Sequence, residues 1–134
     1  MKNIAVILAG GSGFRFQSSL PKQFIKLGGK TVIEHTIDVF EKNTSVDEII
    51  VVVNSSYREL FNNLLLHNHY TKIRSVLNGG TTRLESARIA LAGIQDEDKV
   101  LLHDAVRPFL SDRIINDCFL ALDQYEAVDV AIPS

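Results

Sequence analysis

Cysteine occurs once in the chain, at Cys118. A lone thiol cannot close an internal disulfide, which suits a reducing compartment. Its helix-like surroundings read it as a small core residue. Net charge is nearly absent too, at -2. Without a global basic field no nucleic-acid partner is expected, and phosphate binding has to come from a local site. No apolar run approaches a membrane span. The start enters a strand directly and lacks the charged, apolar and small-residue regions of a signal peptide, so a cytoplasmic location is expected. Repeats, low-complexity tracts and linkers are missing as well. The expectation is one domain of ordinary size over residues 1–134, long enough to bury a core.

Two familiar phosphate loops are also missing. The most informative stretch, residues 8–22, reads LAGGSGFRFQSSLPK and follows the apolar run Ile4-Ala5-Val6-Ile7-Leu8. A dinucleotide fingerprint wants a third glycine where Phe16 stands. A P-loop wants Lys and then Ser or Thr directly after its last glycine, and Gly13 is followed by Phe14 and Arg15. What is present is a strand, three glycines within four positions (Gly10, Gly11, Gly13) and two cations, Arg15 and Lys22. Glycines let a ligand approach backbone N–H groups closely, and a cluster of such groups cradles anionic oxygens. Cations around that cradle fit a nucleoside triphosphate.

Downstream, strand and helix patterns alternate. Thr31-Val32-Ile33-Glu34 reads as a capping box, and Val32, Ile33, Ile37 and Phe40 share one helical face. Ile49-Ile50-Val51-Val52-Val53 reads as a buried strand. Leu60, Phe61, Leu64 and Leu65 mark a helix, and residues 73–77 form a strand ending at Asn78-Gly79-Gly80. A second capping box, Thr82-Arg83-Leu84-Glu85, opens a helix expected to bury Leu84, Ala87, Leu91 and Ile94. Val100-Leu101-Leu102-His103 is a strand ending at Asp104. Ile114, Ile115, Cys118 and Leu122 mark a helix entered near Ser111, and residues 128–132 read as a fifth strand. This alternation predicts an α/β fold with a mainly parallel sheet covered by helices on both faces. Ligands then bind at the carboxyl ends of strands. Gly10-Gly11, Gly79-Gly80 and His103-Asp104 each follow a strand, so independent motifs converge on that edge.

Taken together, AGGSGFRF, PKQF, GGTTRLES and HDAVRP resemble the polyol-phosphate cytidylyltransferases. That family includes 2-C-methyl-D-erythritol 4-phosphate cytidylyltransferase and D-ribitol-5-phosphate cytidylyltransferase. The likeness covers essentially the whole chain, and PKQF followed by HDAVRP is its most specific part. It implies a Rossmann-like nucleotidyltransferase fold and Mg²⁺-dependent transfer of CMP from CTP to a polyol phosphate. Matched motif by motif, Ala9, Gly10, Gly11 and Gly13 belong to the loop along the nucleotide. Arg15 and Lys22 match the catalytic basic pair on the triphosphate. Gly80, Thr81 and Ser86 match the segment reading the cytosine, largely through backbone groups. Asp104 and Ala105 match residues near the ribose and metal, and Arg107 matches a residue facing the polyol phosphate. Val106 and Ala127-Val128-Asp129 look slightly more like the ribitol branch, while GGTTRLES fits either. Family members run substantially further and form dimers. The chain is therefore expected to be an N-terminal portion, truncated at its C-terminus, of a homodimeric enzyme.

Blander roles compete at several positions. Asp104 suits a turn and Arg107, before Pro108, suits an extended surface segment. His103 reads as a satisfied strand-end histidine, because no His or Cys cluster accompanies it. Ser86 has no His at a spacing that would make it a nucleophile. Thr82 and Glu85 are better explained as caps than as catalysts. Other readings of the chain are a sugar-1-phosphate nucleotidyltransferase and a CTP-binding module without turnover.

Overall fold

The computed structural model describes residues 1–9 and 21–122. The expected fifth strand at 128–132 lies outside them. Six strands and four α-helices follow in order: β1 (Asn3–Ala9), β2 (Lys26–Leu27), β3 (Lys30–Thr31), α1 (Val32–Lys42), β4 (Glu48–Val53), α2 (Arg58–Leu66), β5 (Ile73–Asn78), α3 (Arg83–Leu91), β6 (Lys99–Asp104) and α4 (Asp112–Ala121). Short 3-10 turns occupy Lys22–Phe24 and Ser55–Tyr57.

Four strands form one sheet in the order β5-β4-β1-β6, and every pairing is parallel. β1 is therefore central. Its register runs Ile4↔Glu48 to Ala9↔Val53 on one side and Asn3↔Lys99 to Leu8↔Asp104 on the other. The chain first steps outward from β1 to β4 and β5, then crosses back to place β6 on β1's free side. That reversal puts a switch point between the carboxyl ends of β1 and β6, where doubly wound sheets hold their ligands.

Side-chain alternation divides the core. Ala5, Ile7, Ala9, Ile49, Val51 and Val53 face a layer containing Ile33, Ile37 and Phe40 of α1, Phe61 of α2, and Ile115 and Phe119 of α4. Ile4, Val6, Leu8, Ile50 and Val52 face Ala90 of α3, with Leu77, Ile94, Val100 and Leu102 packed around them. Helices thus cover both faces, as parallel strands buried on two sides require.

Two details differ from the sequence reading. In α3 the buried residues are Ser86, Ala87 and Ala90, while Leu84 and Leu91 are 62% and 43% exposed. Small side chains let this helix lie close to the sheet, so closeness rather than bulk selected the buried face. Secondly, β2 and β3 form a small antiparallel hairpin that the sequence reading passed over. Its turn is Gly28-Gly29, with φ of 62° and 90°, the left-handed backbone that two-residue hairpin turns demand. His35 of α1 ties the hairpin down through a ring nitrogen on the Leu27 carbonyl at 2.6 Å.

Candidate active site

Lateral hydrogen bonds bind the carboxyl ends of all four sheet strands into one edge. The Gly79 N–H donates to the Val53 carbonyl at 2.8 Å, and the Asn54 N–H to Ala9 at 3.2 Å. The Ala105 N–H reaches Leu8 at 3.0 Å. Ala9, Gly80, Thr81, Asp104 and Ala105 therefore line the same rim. From β5 to β6 is three strand spacings, roughly 14 Å. A single small ion cannot bridge that distance, whereas an extended ligand laid across the strand ends can. Gly10, Gly11, Gly13 and Arg15 lie outside the described residues.

Lys22 joins this rim through its neighbours. Pro21 starts the turn and the Phe24 N–H closes it on the Pro21 carbonyl at 3.0 Å. Gln23 and Phe24 are buried, whereas Lys22 is exposed. The Gln23 side-chain amide donates to the Ala9 carbonyl at 3.4 Å, so the segment is fastened to the end of β1. Phe24 packs beside Tyr57, with ring centroids 5.9 Å apart. Lys22 thus stands exposed on a buried mount, with no partner for its ammonium among the described residues. Gln23 was missed as a site residue. The signal for it was a polar side chain between Pro21 and Phe24, where burial forces an amide to find a partner.

After β5 the chain turns through Gly79, Gly80 and Thr81 into α3. Buried Ser86 accepts the Gly80 N–H on its hydroxyl at 3.1 Å. Thr82 caps the helix by accepting the Glu85 N–H at 3.1 Å. The Glu85 carboxylate takes the Thr81 hydroxyl at 2.8 Å and the Thr81 N–H at 3.4 Å. The reciprocal arm of the expected capping box thus reaches one residue further back, to Thr81. A Cβ on Gly80 would come within 2.6 Å of the Glu85 side chain, which explains glycine there. Next to this turn, the Arg58 guanidinium donates to the Asn78 side-chain oxygen at 2.8 Å.

At the end of β6, Asp104 and Arg107 face each other across a turn, Arg107 Nε to Asp104 Oδ2 at 3.9 Å. Both side chains are substantially exposed, so the pair adds little stability and leaves both charges available. The backbone beneath is firmly held. Buried Thr36 of α1 donates its hydroxyl to the Ala105 carbonyl at 2.7 Å. The Arg107 N–H donates to the Asp104 carbonyl at 3.2 Å, and a ring nitrogen of His103 meets the Arg107 carbonyl at 2.7 Å. Burial holds the His103 pKa below its ordinary value, against the opposing pull of that carbonyl. A cleft of about 260 Å³ beside Arg107 is lined by Val106, Arg107, Pro108 and Phe109.

Among the described residues, no three His, Cys, Asp or Glu side chains gather into a metal-binding group. That rules out, within them, an all-protein cage. It is compatible with Mg²⁺, which uses one or two carboxylates and takes its other ligands from phosphates and water. Asp104 offers such a carboxylate.

The sequence profile described as IspD, 2-C-methyl-D-erythritol 4-phosphate cytidylyltransferase, matches residues 3–134. A Haemophilus influenzae protein named bifunctional ribulose 5-phosphate reductase/CDP-ribitol pyrophosphorylase Bcs1 is 44% identical over 137 residues, covering 99% of this chain and 29% of that protein. A 2-C-methyl-D-erythritol 4-phosphate cytidylyltransferase from Bifidobacterium longum is 43% identical over 136 residues, covering 98% of this chain and 47% of its own. Among solved structures, 4-diphosphocytidyl-2C-methyl-D-erythritol synthase of Anaerococcus prevotii superposes with a TM-score of 0.72 at 30% identity, over 90% of this chain and 51% of that one. The chain spans about half, or less, of the length of these relatives. No helix among the described residues is long and apolar enough to cross a membrane.

Proposed function

The chain belongs to the 2-C-methyl-D-erythritol 4-phosphate cytidylyltransferase family, and we propose that it forms the nucleotide-binding part of a single nucleotidyltransferase domain that moves CMP from CTP to a polyol phosphate. The observation that carries this reading is the shared rim. Ala9, the Lys22 mount, the Gly79-Gly80-Thr81 turn and the Asp104–Arg107 turn all lie at the carboxyl edge of one parallel sheet, around its switch point.

In the proposed reaction, a phosphate oxygen of the polyol phosphate attacks the α-phosphorus of CTP and pyrophosphate leaves. The nucleophile is already anionic, so no general base is required. Negative charge grows on the non-bridging and leaving oxygens. Lys22 and Arg15 meet that charge, and the protein's remaining task is positioning. The turn at Gly80 and Thr81 seats the cytosine, with Ser86 fixing its shape. Arg107 faces the polyol phosphate. Asp104 would hold a divalent cation, Mg²⁺ in our reading, directly or through water. When bound, that ion supplies further positive charge at the triphosphate.

D-Ribitol 5-phosphate and 2-C-methyl-D-erythritol 4-phosphate are both candidate acceptors, and Val106 inclines the reading to ribitol. We take the working protein to be a cytoplasmic homodimer. A second reading, CTP binding without turnover, is favoured by the length relationship, because the chain spans only 29% and 47% of the two sequence relatives described above. The deciding experiment measures CTP binding by calorimetry, and pyrophosphate release with Mg²⁺ and each polyol phosphate in turn. Release with one acceptor identifies the enzyme and its substrate. Binding without release selects the second reading, and neither would remove the cytidylyltransferase assignment.

A further inference from the structure

His103 is 5% exposed and sits one residue from the end of β6, opposite Ile7 of β1. Its ring meets Phe40 edge-on, with centroids 5.4 Å apart and planes 61° from parallel. Phe40 is itself fully buried in α1, so the imidazole has little room to rotate. One ring nitrogen, Nε2, lies 2.7 Å from the Arg107 carbonyl. A carbonyl only accepts, so Nε2 carries the proton and the ring acts as the donor.

The backbone groups of the turn divide into two sets. Ala105 is held at both ends by other elements, its N–H on Leu8 of β1 and its carbonyl on the Thr36 hydroxyl. Arg107 is held by its N–H on the Asp104 carbonyl and by His103. Removing the His103 donor would therefore free the Arg107 half while the Ala105 half stays pinned. The Arg107 side chain reaches solvent and carries the charge at this corner of the rim.

We propose that His103 is a positioning residue, which aims the Arg107 guanidinium at the acceptor phosphate by donating its ring N–H to the Arg107 carbonyl. This rests on the reading of the site given above. Its prediction is selective: the phosphate-facing corner depends on His103, and the nucleotide-facing rim does not. Thr36 holds the adjacent, insensitive half and serves as the internal contrast.

The test compares the wild-type chain with His103→Phe, which keeps a ring against Phe40 without the donor, and His103→Gln, which restores an amide donor. Binding of CTP and of D-ribitol 5-phosphate or 2-C-methyl-D-erythritol 4-phosphate is measured by calorimetry. Hydrogen exchange is followed at the Arg107 and Ala105 amides. A lost neutral hydrogen bond is worth a factor of about five to ten. His103→Phe should weaken polyol-phosphate binding by about that factor with CTP affinity held within about twofold. It should speed exchange at Arg107 and leave Ala105 protected, and His103→Gln should recover both. Equal weakening of both ligands, or unchanged exchange at Arg107, overturns the proposal. If the wild type binds no polyol phosphate, the assignment of the site fails, and the exchange comparison alone still decides whether His103 holds Arg107.

Discussion

The hydroxyl of Ser86 accepts the backbone N–H of Gly80 at 3.1 Å, across the mouth of the turn between β5 and α3. Ser86 is 2% exposed and Gly80 partly buried, so the hydroxyl is held in place under the turn. Replacing Ser86 with alanine removes the acceptor of this part-buried bond, at a cost of about 1 kcal/mol. We expect Ser86→Ala to lower the urea midpoint accordingly and to weaken CTP binding, because the turn loses its shape. An unchanged midpoint together with unchanged affinity would show that the bond carries no structural load.

Lys22 makes the opposite prediction. Its side chain is exposed while its neighbours Gln23 and Phe24 hold the backbone, so Lys22→Ala should leave stability untouched. If its ammonium meets charge that develops during transfer, turnover should fall by about 10²–10³-fold with little change in CTP affinity. Pyrophosphate release and calorimetry on the same preparation separate the two quantities. Near-normal turnover would dismiss the catalytic role.

Acid stability should depend on the start of α1. The Glu34 carboxylate accepts the Thr31 N–H at 2.9 Å and the Asn68 amide at 2.9 Å, and the Thr31 hydroxyl accepts the Glu34 N–H at 3.3 Å. Burial alone would raise the Glu34 pKa, but these hydrogen bonds outweigh it and hold the carboxyl below its ordinary value of 4.5. A depressed folded-state pKa gives stability that is present above the unfolded value and lost as pH falls through the folded one. Glu34→Gln should therefore flatten the decline in stability below about pH 4.5. Thr31→Ala should cost about 1 kcal/mol at neutral pH through loss of the cap. Denaturant titrations between neutral and acid pH check both, and an unaltered acid limb in Glu34→Gln would contradict the assignment.

Asp104→Asn keeps the side chain's shape and removes its charge. Because this carboxylate is exposed and only loosely paired with Arg107 at 3.9 Å, the fold should persist. If the carboxylate attracts a hard cation, the Mg²⁺ concentration needed for CTP binding or turnover should rise. A superimposable Mg²⁺ titration would make Asp104 a turn residue and nothing more.

Much of this architecture was legible because local chemistry and global packing agree. The β-branched run at Ile49-Ile50-Val51-Val52-Val53 is buried on both faces, and Thr31 and Glu34 make the full reciprocal cap that their spacing announced. Ser111 likewise caps α4 by accepting the Ile114 N–H at 3.2 Å. The failures have physical causes. Helical periodicity marks where apolar residues stand but not how near the sheet lies, so Ala87 was expected on the buried face of α3 while its small neighbours Ser86 and Ala90 were overlooked in favour of Leu84 and Leu91. The hairpin at Gly28-Gly29 was overlooked because each of its strands has only two residues, too few for an alternation to register. At the site, the motifs found the rim but not its supports. Gln23 and Thr36 reach the carbonyls of Ala9 and Ala105, distant in sequence, and His103 reaches the Arg107 carbonyl around a turn, and no helix or strand spacing encodes such bonds.

The central place of β1 also bears on how the protein comes to exist in working form. Its carboxyl end touches Asn54 on one side and Ala105 on the other, partners 51 positions apart in the sequence. The rim therefore cannot be assembled piecemeal: until α3 has carried the chain across the sheet and β6 has docked, there is nothing for a ligand to span. Loop closure of that length is a late and slow event in parallel sheets. A nucleotide that recognises only the finished rim would pull the folding equilibrium toward completion in proportion to its concentration. Occupancy would then serve as a proofreader of the sheet itself, retaining chains whose β6 has found its place.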